Sequence, residues 1–215
     1  MVTGVFGLPG AGKSTFLAWC ASRAQKGRSL SVGLGLAGGV QIGRKGYQRI
    51  YSNFPLLGCY PLDWDSLGVV NYEDCLILID EIMMLCDSRA WKTYPENIKY
   101  FFSMHRHYNV DVVWCSQSYK DCDVRIRNLC EQFLHIRRAG AFTEIIPVQH
   151  CMDVRNGVID DWYELGGFLS RRFLRRAPFY RMFDTCARKP LEPVPDLNLW
   201  EIVDNSAPVE LRKSN

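Results

Sequence analysis

Gly7, Gly12, Lys13 and Ser14 fall in the spacing G-x-x-x-x-G-K-[ST], and that spacing suits the holding of phosphate. Glycines let successive backbone N–H groups turn towards an anion and approach its oxygens closely. A helix opening there would add its positive N-terminal dipole. Lys13 supplies a point charge for the β- and γ-phosphates, and Ser14 a hydroxyl for Mg²⁺. The run Pro9, Gly10, Ala11, Gly12, Lys13, Ser14 and Thr15 is the candidate loop for ATP with Mg²⁺. The bland alternative is a glycine turn beside a surface lysine. A strand leading in and a helix leading out favour the phosphate loop.

A second cluster suits hydrolysis. Cys75-Leu76-Ile77-Leu78-Ile79 is a continuous apolar run that ends in Asp80-Glu81. At the C-terminal end of a parallel strand the pair would lie near the phosphate loop. Asp80 would then hold the metal with Ser14, and Glu81 would orient or deprotonate the attacking water, work that needs a second carboxylate. A solvated strand end also carries acids commonly. Val112-Val113-Trp114-Cys115-Ser116-Gln117 repeats the design, and Gln117 could sense the γ-phosphate, position water or merely cap a strand. Phosphoryl transfer also draws on an arginine supplied in cis or in trans. Arg106, Arg125 and Arg127 are the candidates, and each could equally be a surface arginine.

The elements that must position these groups follow from periodicity. The spacing predicts strands over 2–6, 50–54, 75–79, 110–115 and 132–137, with later strands over 141–150 and 179–184 at the sheet edge. It predicts helices over 13–24, 95–108 and 124–131, the second opening on Pro95. The glycine-rich stretch 33–46 reads as mobile or turn-rich, and it could serve as a lid in a small-molecule phosphotransferase. Strands alternating with helices imply an α/β fold of three layers around a mostly parallel sheet. One domain over 1–190 and an irregular proline-bearing arm over 191–215 are expected.

Of the 215 residues, 47% are hydrophobic and 23% charged, and the net charge is +3. That balance excludes a disordered or fibrous chain and is too small to imply nucleic-acid binding from charge alone. Nine cysteines without a C-x-x-C pair do not form a zinc or disulfide pattern, so reduced thiols are expected. No apolar run approaches the roughly 20 residues that span a bilayer, and no signal peptide is visible. Arg171, Arg172, Arg175 and Arg176 in L-S-R-R-F-L-R-R could contact DNA phosphates or anionic lipid, or could be a solvated helix face or a subunit contact.

Taken together, the phosphate loop through Thr15, Ser52-Asn53-Phe54-Pro55-Leu56, Leu78-Ile79-Asp80-Glu81, His105-Arg106-His107-Tyr108-Asn109-Val110-Asp111 and Ser116-Gln117-Ser118 resemble the zonular occludens toxin (Zot) family. Ile126-Arg127-Asn128-Leu129 and Tyr180-Arg181-Met182-Phe183-Asp184-Thr185 are similar to its later motifs, so the resemblance spans about residues 1–190. That family includes the assembly ATPases of filamentous bacteriophages. The resemblance implies a P-loop NTPase similar in fold to ring-forming DNA-translocating ATPases. It further implies a homo-oligomer such as a hexamer, phage coat and assembly proteins as partners, and single-stranded phage DNA as cargo. The place implied is the cytoplasmic face of the host inner membrane. Family members commonly carry a transmembrane helix after this domain; none is found here, so a membrane partner or the basic stretch would provide the anchor. Two other readings stay open: a packaging or conjugative-type DNA translocase, and a nucleotide-gated scaffold without productive turnover.

Overall fold

Every residue of Cys75–Ile79 and Asp111–Ser116 is buried, and alternate side chains of a strand point to opposite faces. The core accordingly divides in two. Cys75, Ile77, Ile79, Val112 and Trp114 join one apolar cluster with Ile98, Phe101, Phe102 and Ile126. Leu76, Leu78, Val113 and Cys115 join another with Phe16, Leu17, Ala18, Cys20 and Ala21. A sheet buried on both faces needs a helical layer on each, which is why these strands read as unbroken apolar runs.

The computed structural model describes residues 1–32, 40–84, 96–155 and 158–184. In chain order the strands and helices are β1 (Val2–Phe6), α1 (Lys13–Gln25), β2 (Leu30–Val32), β3 (Val40–Gly43), β4 (Arg49–Ser52), β5 (Tyr60–Pro61), β6 (Cys75–Ile79), α2 (Glu96–Met104) and β7 (Asp111–Ser116). Then come α3 (Val124–Leu129), β8 (Gln132–Ala139), β9 (Phe142–Arg155), β10 (Val158–Leu165) and β11 (Arg172–Arg175). Among the described residues the main sheet runs β10-β9-β8-β1-β7-β6-β4-β5, with β11 also against β9. From β5 to β8 every pairing is parallel. The pairings of β9 with β8, β10 and β11 are antiparallel. The chain divides into a unit Met1–Thr185 and a unit Cys186–Asn215, and the second lies outside the described residues.

Parallel strands begin at one pole and end at the other. Met1, Asp111 and Glu131 meet at the starting pole, where the Met1 ammonium lies 2.7 Å from Asp111 Oδ1 and 3.7 Å from Glu131 Oε1. Gly7, Asn53, Asp80 and Gln117 follow the strand ends at the opposite pole. Beyond β8 the chain turns back at Gly140 into β9, whose Glu144 is buried. Its carboxylate accepts hydrogen bonds from Arg137 and, at 3.3 Å, from Arg171. The Arg137 guanidinium holds the Glu144 carboxyl below the ordinary carboxylate range. This links β8, β9 and the lead into β11.

Three expectations need correction. Residues 179–184 form no strand: a short 3₁₀ turn covers Ala177–Phe179, with Pro178 in it, because proline fixes φ and lacks the N–H that a ladder requires. Within the glycine-rich stretch, β3 forms an antiparallel pair with β2; residues 33–39 lie outside the described residues, as does Pro95. The basic run 169–176 is not a helix face. Its middle is β11, paired to Phe142–Ile145 across the sheet.

Ile77 is fully buried in the sheet centre and Val69 is 72% exposed. Ile77→Ala should lower unfolding free energy by about 2–5 kcal/mol, whereas Val69→Ala should stay within about 0.5 kcal/mol of the parent. Urea-denaturation midpoints of the two variants measure the difference.

Candidate functional site

The turn after β1 is shaped by its two motif glycines. A Cβ at Gly7 would collide with the Ile136 carbonyl on β8, and one at Gly12, whose φ is 107°, with the Thr143 side chain on β9. Only glycine has the conformational freedom and the narrow profile for both places. Thr143 Oγ1 lies 3.5 Å from the Ala11 carbonyl it donates to, so the β8–β9 hairpin backs the loop from outside. α1 starts at Lys13 directly after Gly12, which aims the free N–H groups of its first turn at the loop's concave side.

Ser14 and Asp80 meet at that mouth: the Ser14 hydroxyl donates to Asp80 Oδ2 at 2.7 Å. The Lys13 ammonium is buried, donates to the Gly7 carbonyl at 2.8 Å and lies 3.7 Å from Glu81 Oε1. Glu81 departs from its strand with φ 53°, a left-handed conformation that costs a residue with a Cβ about 1–2 kcal/mol. The outlier turns its carboxylate back over the loop instead of continuing along the strand. Gln117 Nε2 donates to Glu81 Oε1 at 3.5 Å, from the tip of β7. Burial pushes the Glu81 carboxyl above the ordinary carboxylate range, against the pull of Lys13. Its Oε2 is buried without a hydrogen-bond partner among the described residues.

Lys13, Ser14, Asp80 and Glu81 line a cavity of ≈ 420 Å³ with Pro9, Gly10, Gly12 and Thr15, and Gln117 lies outside its lining. A larger groove of ≈ 740 Å³ runs alongside, bordered by 52–57, 59–62 and 181–184. Its lining has no paired carboxylates and no phosphate loop, so the groups suited to phosphate and metal lie in the smaller cavity. A magnesium ion fits the Ser14–Asp80 pair. Both residues offer hard oxygen donors, and Asp80 Oδ1 is buried without a hydrogen-bond partner among the described residues.

Some functional positions were not singled out by sequence reasoning. Asn53 exchanges two hydrogen bonds with the Asp80 backbone: its Nδ2 donates to the Asp80 carbonyl and its Oδ1 accepts from the Asp80 N–H, both at 2.7 Å. The adjacent strand end thereby fixes where the carboxylate stands. The only sequence signal was its place in Ser52-Asn53-Phe54-Pro55. Tyr180, Phe183 and Arg176 also line the cavity, though they follow the sheet's last strand by sequence.

The three candidate arginines do not line it. Arg106 lies at the starting pole, 3.2 Å from Glu131 Oε1; a five-residue strand sets the poles roughly 17 Å apart. Arg127 is buried, with its guanidinium 4.7 Å from the Tyr119 ring centroid and donating to the Tyr119 carbonyl at 3.4 Å. Arg125 is paired with Asp123 at 3.5 Å near the start of α3. Of the basic run, Arg171 is committed to Glu144 and Arg172 donates to the Leu169 and Arg171 carbonyls. Arg176 is buried at the phosphate loop, so reversing its charge would disturb the loop and not a surface patch.

Residues 59–159 match the family model described as zonular occludens toxin (Zot). The resemblance to the Zot family holds. The matched stretch carries Asp80, Glu81 and Gln117, and the phosphate loop precedes it. The crystal structure of the N-terminal domain of zonular occludens toxin from Neisseria meningitidis is similar at a TM-score of 0.52. It is 15% identical, with 85% of this chain and 98% of that chain covered. At that identity the likeness speaks for the fold alone, an α/β architecture around a mostly parallel central sheet. The genome packaging NTPase B204 from Sulfolobus turreted icosahedral virus 2, in complex with ATP-gammaS, reaches a TM-score of 0.45 at 10% identity, over 78% of this chain and 97% of that chain. That likeness is too distant to argue from. Comparison with curated proteins gives no match.

Asn53→Ala would remove both bonds that hold the Asp80 peptide. The expected outcome is a loss of about 1–3 kcal/mol in thermal or urea stability, together with weaker dependence of nucleotide binding on Mg²⁺, measured by titration calorimetry with and without chelator.

Proposed function

We propose that the chain is an ATPase that powers filamentous-phage assembly and extrudes single-stranded phage DNA through the host inner membrane. The observation that carries the hydrolytic part is the 2.7 Å hydrogen bond between Ser14 and Asp80, with the Lys13 ammonium 3.7 Å from Glu81. Four groups with complementary roles in triphosphate hydrolysis, from two segments far apart in sequence, converge on one cavity. The phage role is supported by the Zot match and by the motifs shared with that family.

In this reading the loop amides and Lys13 hold the phosphates. On nucleotide binding the ammonium leaves the Gly7 carbonyl for phosphate oxygens, which are stronger acceptors. Ser14 and Asp80 would hold Mg²⁺, which supplies positive charge to the β- and γ-phosphates. Glu81 accepts a proton from water as the water oxygen attacks the γ-phosphorus. The bond from that phosphorus to the β–γ bridging oxygen breaks, and the electron pair leaves with ADP. Gln117, bonded to Glu81, keeps the base in position and can orient the same water. Charge that accumulates on the γ-phosphoryl oxygens is met by fixed cations and dipoles, which need little reorganisation.

The motor acts as a homo-oligomeric ring, such as a hexamer, at the cytoplasmic face of the membrane, with phage coat and assembly proteins as partners. No helix among the described residues is long and apolar enough to cross a membrane. Attachment through a membrane partner accords with that, and the commitments of Arg171, Arg172 and Arg176 leave less of the basic run for lipid.

Purified protein should hydrolyse ATP. Lys13→Ala should lose both nucleotide affinity and turnover. Glu81→Gln should bind ATP as the parent does but hydrolyse it at least about a hundredfold more slowly, the scale of general-base catalysis. Steady-state phosphate release and calorimetry separate the two; equal turnover of Glu81→Gln and parent would remove Glu81 from the mechanism. Cells carrying phage with Glu81→Gln should make phage DNA and coat protein normally but release no particles.

A further inference from the structure

Several arginines among the described residues are matched to carboxylates. Arg44 has Asp74, Arg106 has Glu131, Arg125 has Asp123, and Arg137 and Arg171 share Glu144. Arg176 departs from that pattern. It is 7% exposed, yet among the described residues its side chain meets only the Gly10 carbonyl, at 3.4 Å from Nη1, and the Gly140 carbonyl, at 3.0 Å from Nη2. Its Nε is buried with no acceptor among the described residues. Carbonyl dipoles satisfy donors but leave a full positive charge without a counter-charge, and a buried charge in that condition is costly.

Location indicates what would match it. Arg176 lines the same cavity as Lys13, Ser14, Asp80 and Glu81, and one of its two partners belongs to the phosphate loop itself. Its position is set by the sheet. β11 pairs with the start of β9, the Arg176 N–H then donates to the Ala141 carbonyl at 3.2 Å, and the Ala177–Phe179 turn carries the chain away. The guanidinium is thus delivered beside the loop by backbone geometry. Arginine also suits the task, since it stays protonated and its planar fork fits phosphate oxygens.

We propose that Arg176 binds the phosphate chain of the nucleotide in cis, as a second cation alongside Lys13. On binding, its donors pass from the Gly10 and Gly140 carbonyls to phosphate oxygens. The site thereby gains an arginine from its own chain. The proposal rests on the nucleotide reading of the cavity.

Calorimetric titration of ATP-gammaS with Mg²⁺, paired with melting of nucleotide-free protein, tests it on the full chain. The variants are Arg176→Ala, Arg176→Lys and, as a neighbouring exposed control, Arg175→Ala. Arg176→Ala should bind ATP-gammaS about tenfold to a hundredfold more weakly while melting no lower than the parent, because a buried unmatched charge is gone. Arg176→Lys should recover part of the affinity, and Arg175→Ala should match the parent. Parent-like affinity in Arg176→Ala overturns the proposal. So does an affinity loss that appears only with a lowered melting temperature and is not relieved by lysine, the behaviour of a merely structural arginine. A parent protein that binds no nucleotide sinks the nucleotide reading itself, and this proposal with it.

Discussion

A single hydrogen bond, from the Ser14 hydroxyl to the Asp80 carboxylate at 2.7 Å, joins residues 66 apart in sequence and sets the terms for the rest of the molecule. It requires β1 and β6 to end at the same pole, which parallel pairing through the intervening β7 provides. It also requires α1 to begin where β1 stops, and the two motif glycines make that sharp a junction possible. Helices on both faces then follow, because strands with apolar residues on each side cannot leave either face to water.

Charge balance at this pole is asymmetric by design. Lys13 and Glu81 partly offset each other, whereas Asp80 keeps one carboxylate oxygen, and Arg176 one nitrogen, buried without a hydrogen-bond partner among the described residues. A metal–triphosphate carries both signs and answers both. At the opposite pole the Met1 ammonium and Arg106 pair with Asp111 and Glu131 at 2.7 and 3.2 Å.

Much of this was legible before any coordinates. Sheet-centre strands betray themselves through unbroken apolar runs, so β1, β6 and β7 were predicted within a residue or so, and the phosphate loop and Asp80-Glu81 are local patterns with direct chemical meaning. What escaped is non-local. Asn53 works by reaching across to a neighbouring strand end, and nothing in its own surroundings announces that. Arg176 sat in a run of four arginines and read as part of a charged surface, although the register of β11 against β9 buries it. Arg106 and Arg127 are candidates by residue type alone, and residue type does not reveal the pole and burial that place Arg106 beside Glu131 and Arg127 against Tyr119. β2, β3 and β11 are short, and three or four residues give periodicity too little length to register.

The placement of β1 has a consequence for how the protein is made. In the chain the strand precedes both of its neighbours, β7 and β8, with Val2 opposite Val112 and Gly4 opposite Phe133. During translation an apolar segment with two open edges must wait until Asp111–Ser116 has been made before either side can be covered. Late pairing of this kind is slow to fold and exposes nascent chains to misassociation. Chaperone supply and translation speed should therefore govern yield more than the thermodynamic quality of the finished core.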